Sequence, residues 1–253
     1  MPAHHEMPQE HNQQGLVVNK ICKAFRGRVI VNSVSLHVNP REIVGLLGRN
    51  GAGKTSSFYT IVGLVSPDSG TVLLDGVDIT KLPLYHRARL GIGYLPQEAS
   101  VFRGLTVEEN ILAVLQLCMR GRMARQNQLE KLLSEFSIET IRYSKAGTLS
   151  GGERRRVEIA RCLASNPKYI LFDEPFAGID PIAARDIRNL VFHLRDRNVG
   201  ILITDHNWRE TLDLVERVYV LSEGVILAEG TPAEVLGNEN FIRGYLGSDD
   251  EVE

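Results

Sequence analysis

Apolar positions along this chain recur with two periods, and the switches between them mark out its parts. Residues 16–23 and 31–38 read as β-strands. In the second, Val34, Leu36 and Val38 alternate with Ser33, Ser35, His37 and Asn39, the pattern of a strand buried on one face. Residues 42–47 form a short continuous apolar run entering a glycine-rich loop, which predicts a strand buried on both faces. A helix is expected next, over 53–64. Similar buried runs fall at 169–172 and 200–204, each beside a stretch of helical period, 181–197 and 207–215. Strands alternating with helices imply an α/β core on a parallel sheet. Toward the end, 218–221 and 225–229 flank Ser222-Glu223-Gly224, a hairpin signal. Thr231-Pro232-Ala233-Glu234 then has the residues of a capped helix start: a capping hydroxyl, a proline at the first helical position and a glutamate to return the bond.

Between 101 and 166 the pattern becomes helix after helix. The stretch 106–119 places Val107, Ile111, Val114, Leu115 and Cys118 on one face, and 129–136 and 153–165 are also helical in period. An all-helical insert interrupting an α/β core predicts a subdomain able to move relative to it.

Composition narrows the class. The chain has 253 residues, ample for a buried core, and a formal net charge of −2, so no global positive field points to nucleic acid. The three cysteines, Cys22, Cys118 and Cys162, are far apart and form no C-x-x-C pair. They predict neither disulfide framework nor metal site, and read as small buried apolar side chains in a reducing compartment. No apolar run approaches the ~20 residues of a membrane-spanning helix, so membrane association is expected only through partners. Residues 1–15 are polar, with His4, His5 and His11, and are expected to be a disordered extension; 248–253 form an acidic tail.

The chemistry begins at Gly48-Arg49-Asn50-Gly51-Ala52-Gly53-Lys54-Thr55, which matches G-x-x-x-x-G-K-[ST] between a predicted strand and a predicted helix. Successive backbone N–H groups there can turn toward phosphate oxygens, and the helix N-terminus adds its dipole. Lys54 reaches the β- and γ-phosphates, and the Thr55 hydroxyl ligates Mg²⁺. Tyr169-Ile170-Leu171-Phe172-Asp173-Glu174 is an apolar strand ending in two carboxylates. Asp173 is placed to hold Mg²⁺ through water, and Glu174 to orient the attacking water and accept its proton. A guanine-reading Asn-Lys-x-Asp motif is lacking: Asn19-Lys20 is followed by Ile21-Cys22 and precedes the phosphate loop. Leu149-Ser150-Gly151-Gly152-Glu153 opens a helix with a hydroxyl and free N–H groups, a second anion site. Two phosphate-binding elements in one chain suggest a composite site.

These motifs, with His206 after the 201–204 strand, together resemble the nucleotide-binding domain of ABC transporters, from residue 16 to about 246. The resemblance implies an α/β P-loop NTPase with a RecA-like core, an antiparallel β-subdomain and an inserted α-helical subdomain (about 101–166), one ABC ATPase domain over 16–247. It implies ATP with Mg²⁺, and a homodimer in which Ser150, Gly151, Gly152 and Glu153 cap the ATP held by the other copy's loop from Gly48 through Ala52 to Ser56. Gln97 matches the Q-loop, touching Mg²⁺ and sensing the γ-phosphate. Asp180 matches the D-loop at the dimer seam, and His206 the switch histidine. Phe25 stands where the adenine-stacking aromatic is usually Tyr, and Arg49 where Pro is common in the phosphate loop.

Within the family, residues 94–102, 151–161 and 172–181 resemble the ATPase subunits of lipopolysaccharide exporters, most tellingly in the triplet Arg154-Arg155-Arg156. That implies two transmembrane partner subunits, a place on the cytoplasmic face of the inner membrane, and Phe102 and Arg103 in the groove that receives those partners. A buried Phe102 under the helical subdomain is the competing expectation. Three rivals stay open: the ATPase of a branched-chain amino-acid importer, a soluble ABC ATPase acting on ribosomes or DNA, and an ATP-binding regulator without turnover.

Overall fold

The computed structural model describes residues 14–177, 181–206, 208–238 and 241, with the backbone alone for 181–183. The expected lead-in before residue 14, Asp180 and the acidic tail lie outside the described residues.

The buried runs become the centre of a six-stranded sheet. In it β3 (Ile43–Leu47), β6 (Ile92–Leu95), β7 (Tyr169–Asp173), β8 (Gly200–Asp205), β9 (Arg217–Ser222) and β10 (Val225–Gly230) lie in the order β10-β9-β3-β8-β7-β6. All pairs are parallel except β9 with β10, whose two-residue turn, Glu223-Gly224, has φ of 47° and 82°. Strands β3, β7 and β8 are buried at every position, as two covered faces require. A second, antiparallel sheet joins β1 (Leu16–Phe25), β2 (Arg28–Val38), β4 (Ser69–Leu74) and β5 (Val77–Asp78) in the order β2-β1-β4-β5.

Alternation along the central strands splits the core. Val44, Leu46, Leu171 and Leu202 face α1 (Lys54–Val62) and the antiparallel sheet, meeting Phe58, Ile61, Val18 and Val34. Ile170, Phe172, Ile201 and Ile203 face the other way, onto α5 (Gly151–Leu163) and α6 (Pro181–Asp196). That second cluster runs without a break into the helical insert, through Val157 and Ala160 to Ile111 and Leu115 of α3 (Val107–Cys118) and Leu129 and Leu133 of α4 (Arg122–Glu135). The insert is thus joined to the core by continuous apolar packing, with α5 as the shared element. Two further short helices are α7 (Trp208–Leu212) and α8 (Pro232–Leu236). The capping box expected at Thr231 is present, its hydroxyl accepting from the Glu234 N–H while the glutamate carboxylate accepts from the Thr231 N–H at 2.7 Å.

Several elements differ from expectation. Cys118 is exposed at the end of α3 rather than buried, and all three cysteines are free. Strands β4, β5 and β6 and the helix α2 (Leu84–Leu90) were not legible in the pattern, and α4 starts seven residues before the expected 129. Helix α2 carries Arg87, which is 1% exposed. Its guanidinium donates to Leu82 O, Thr80 O, Thr60 O and Ile61 O at 2.6–2.9 Å, so it closes the C-terminal end of the helix that begins at the phosphate loop. Burial lowers its pKa to about 10. Arg87→Leu would leave four carbonyls without their donor, and urea denaturation is expected to show a loss of at least about 3 kcal/mol. An unchanged midpoint would show that water replaces the guanidinium without loss.

Candidate active site

Parallel strands place their carboxyl ends side by side, and four adjacent ones here each end in a candidate residue. Strand β3 runs into the glycine loop, β8 ends at Asp205-His206, β7 at Asp173-Glu174, and β6 leads to Gln97. Register aligns them: Leu47 pairs with Asp205, Asp173 with Thr204, and Phe172 with Leu95. Ligands of open α/β sheets bind at such an edge.

In the loop, close backbone approach demands glycine at two points. A Cβ on Gly48 would lie 2.5 Å from Leu221 O, and one on Gly53, at φ 102°, would lie 2.6 Å from Ile30 O. Lys54 is 5% exposed and curls back inside the loop, donating to Gly48 O at 2.5 Å and Arg49 O at 3.1 Å. Burial lowers its pKa, against the pull of Glu174, Asp205 and Asp173. A cavity of about 310 Å³ lies over the loop, bounded by Asn50, Gly51, Gly53, Lys54, Thr55 and Ser56, with Arg28 and Ile30 on one wall and Glu174 on another. Ala52 is buried under the loop and is not part of this wall.

Asp173 is buried, and its two oxygens accept from Thr204 Oγ1 at 3.0 Å and Tyr94 Oη at 3.2 Å. Burial raises its pKa, with Glu174 acting the same way and the two hydroxyls and Lys54 opposing. Tyr94 is pushed up in turn, by burial first and Asp173 second. Glu174 has φ 45°, the left-handed region, and its N–H donates to Thr204 O at 2.8 Å. Such a conformation in a non-glycine residue costs about 1 kcal/mol or more, and the neighbouring strand holds it there. Its Oε2 receives Gln97 Nε2 at 3.0 Å and lies 3.4 Å from His206 Nδ1. Residues 77 positions apart in one case thus meet at a single carboxylate oxygen. Asp205, fully buried behind them, accepts from the Phe176 N–H and lies 3.6 Å from His206 Nδ1.

The other expected residues lie outside this cluster. Ser150 and Glu153 form a capping box at the start of α5, so the Ser150 hydroxyl is already engaged. The Gly151 and Gly152 N–H groups, in the first helical turn, have no intrahelical acceptor. They line a cleft of about 180 Å³ together with Gln97 and Glu174. Phe25 is 44% exposed at the β1–β2 hairpin, paired with Arg28 of the cavity wall, and Lys23 Nζ sits 5.5 Å over its ring. Phe102 is 53% exposed with Arg161 over its ring, on an apolar groove of about 370 Å³ between α2, β6 and α5, so its burial under the helical insert does not occur. Arg103 beside it is exposed. The arginine triplet is hydrogen-bonded into its surroundings: Arg154 donates to Leu149 O, Arg155 to Pro96 O and Glu158, and Arg156 to Asp186. Sequence reasoning missed Tyr94, Thr204 and Glu158, whose partners are remote in the chain.

Oxygen-bearing side chains at this edge that could hold a cation include Thr55 on the cavity wall, Gln97 beside Glu174, and Asp173. This sparse set suits Mg²⁺, which keeps waters and substrate phosphates rather than a protein cage. Among the described residues no cluster of His, Cys, Asp and Glu could form such a cage.

A phosphate loop and paired carboxylates at the carboxyl edge of a parallel sheet, with a helical insert beside them, define a P-loop ATPase of the ATP-binding-cassette type. The chain matches the ABC transporter family model over residues 31–177 and belongs to that family. It binds ATP and hydrolyses it to drive transport, as a subunit of a membrane transporter, and no helix among its described residues is long and apolar enough to cross a membrane. The lipopolysaccharide export system ATP-binding protein LptB of Escherichia coli K12 is 55% identical over 237 residues, spanning 92% of this chain and 98% of that protein. LptB of Haemophilus influenzae is 55% identical over 235 residues, 92% of this chain and 97% of its own length. The ATP-binding cassette MJ1267 of an ABC transporter, in its ADP conformation, superposes with a TM-score of 0.83 at 30% identity, covering 93% of this chain and all of that one.

Proposed function

We propose that this chain is the ATP-hydrolysing subunit of a lipopolysaccharide exporter. It works as a homodimer under two transmembrane subunits, on the cytoplasmic face of the inner membrane, to extract lipopolysaccharide for delivery to the outer membrane. The observation that carries this reading is the end-to-end likeness to LptB at 55% identity. The phosphate loop and Lys54 bind the triphosphate, and Phe25 offers the adenine an exposed aromatic face. Thr55, Gln97 and Asp173 would hold Mg²⁺, which would supply charge neutralisation at the phosphates. Glu174 takes the proton of the attacking water, and His206 and Gln97 hold its carboxylate in place until phosphate arrives. The N-terminus of α5, at Gly151 and Gly152, faces the ATP of the second copy, with Ser150 and Glu153 bracing that turn. Water is excluded when the two copies close.

The groove at Phe102 and Arg103 receives the transmembrane subunits. Affinity capture of the full chain from its own membranes in mild detergent, with partners identified by mass spectrometry, is expected to recover two membrane subunits with large periplasmic domains. Phe102→Ala should lose them while ATP binding is kept. Recovery of importer permeases, or of ribosomal proteins alone, would overturn the substrate reading.

A further inference from the structure

The Q-loop is gripped from one face of α5. Arg155, Glu158 and Arg161 recur at three-residue spacing and so share that face. Arg155 Nη1 donates to Pro96 O at 3.4 Å and to Glu158 Oε2 at 3.0 Å. Glu158 Oε1 accepts from the Ser100 N–H at 2.6 Å, and Arg161 Nη2 donates to Ser100 Oγ at 2.7 Å. The two backbone anchor points, Pro96 and Ser100, bracket Gln97. Gln97 itself is exposed on a loop, where an unrestrained side chain samples many rotamers, yet its amide meets Glu174 at 3.0 Å. Glu158 is 3% exposed. A carboxylate is costly to bury, and an apolar residue of similar volume would fill the space.

From this geometry we infer that Glu158 is a positioning residue: it fixes the 96–100 loop so that the Gln97 amide is held at the Glu174 carboxylate. The inference rests on the catalytic role given to Gln97 above. It places the control of a residue at the phosphate edge in the helix that also starts at Gly151 and Gly152, so one rigid element sets both.

The test is a double-mutant cycle on the full chain with Mg²⁺ and ATP, read as kcat and KM. Glu158→Ala should lower kcat about tenfold with KM within about threefold of the parent, and should have no further effect in a Gln97→Ala background. Glu158→Gln, which still accepts from Ser100, should restore kcat to within about threefold. Hydrogen exchange at the Ser100 amide should quicken roughly ten- to a hundredfold in Glu158→Ala, as expected for loss of a bond to a charged acceptor. If Glu158→Ala does not fold because Arg155 is left unpaired, Arg155→Met with Glu158→Leu removes both charges, and the same cycle is run with it. Losses that add to those of an impaired Gln97→Ala, or an unchanged kcat, overturn the inference alone. A Gln97→Ala chain that hydrolyses ATP at the parent rate removes the catalytic role of Gln97, and the positioning role with it.

Discussion

Glu174→Gln is expected to lower ATP hydrolysis by about 10²–10⁴-fold while ATP still binds, the range for removal of a general base. Glutamine has the same shape and can still accept from Gln97, so the arrangement at the carboxyl edge survives. What disappears is an oxygen able to take a proton. The left-handed backbone at φ 45° belongs to position 174 rather than to the carboxylate, so the aim of the side chain is preserved. If ATP binding closes two copies and hydrolysis is needed to reopen them, this variant should also accumulate as an ATP-bound dimer. Phosphate release, equilibrium nucleotide binding and light scattering with and without ATP check the three parts separately. Hydrolysis at the native rate would remove Glu174 from the mechanism.

Lys54→Ala carries the second large effect, and it falls on binding. The ammonium is buried within the electrostatic reach of three carboxylates, Glu174, Asp205 and Asp173, and tethered to the carbonyls of Gly48 and Arg49. It sets a positive charge inside the loop, where a triphosphate must approach an edge that carries three carboxylates. Losing one charge-assisted contact to phosphate costs about 1.5–3 kcal/mol, and the unbalanced carboxylates act in the same direction. Affinity for ATP is therefore expected to fall by about 100-fold or more, with turnover lost in proportion. Lys54→Arg should not rescue it, because a planar guanidinium does not fit a loop shaped around a compact ammonium. Fluorescent-nucleotide titration measures this directly, and affinity within threefold of the parent would show that the backbone N–H groups suffice.

Much of the sheet was legible because its central strands are buried on both faces. Residues 43–47, 169–172 and 200–203 are short runs of aliphatic, aromatic and glycine residues alone, a pattern few other elements produce. The misses share a cause. Strand β6 has four residues and β5 two, too few to establish a period. Helix α4 begins with Arg122-Met123-Ala124-Arg125, whose polar and exposed positions carry no apolar stripe, so only its second half was visible. Cys118 sits at the last turn of α3, where the helix leaves the core it packs on earlier, and a helical period cannot show where contact ends.

The catalytic edge divides in the same way. Sequence by itself determined the phosphate loop, because Gly48 through Thr55 act through their own backbone and a local strand–loop–helix turn. It also determined the order of Gln97, Glu174 and His206 as candidates, through their likeness to a family. Only the tertiary structure decided that these three meet at one carboxylate, that Thr204 and Tyr94 orient Asp173 from 31 and 79 residues away, and that Glu158 holds the Q-loop. The partners of Arg155 and Arg156 were hidden for the same reason: a charge run along a helix does not name the acceptors that neighbouring elements supply. Local backbone geometry is written in consecutive residues. The register between parallel strands is set by the packing of helices on both faces of the sheet, and that packing is a property of the whole fold.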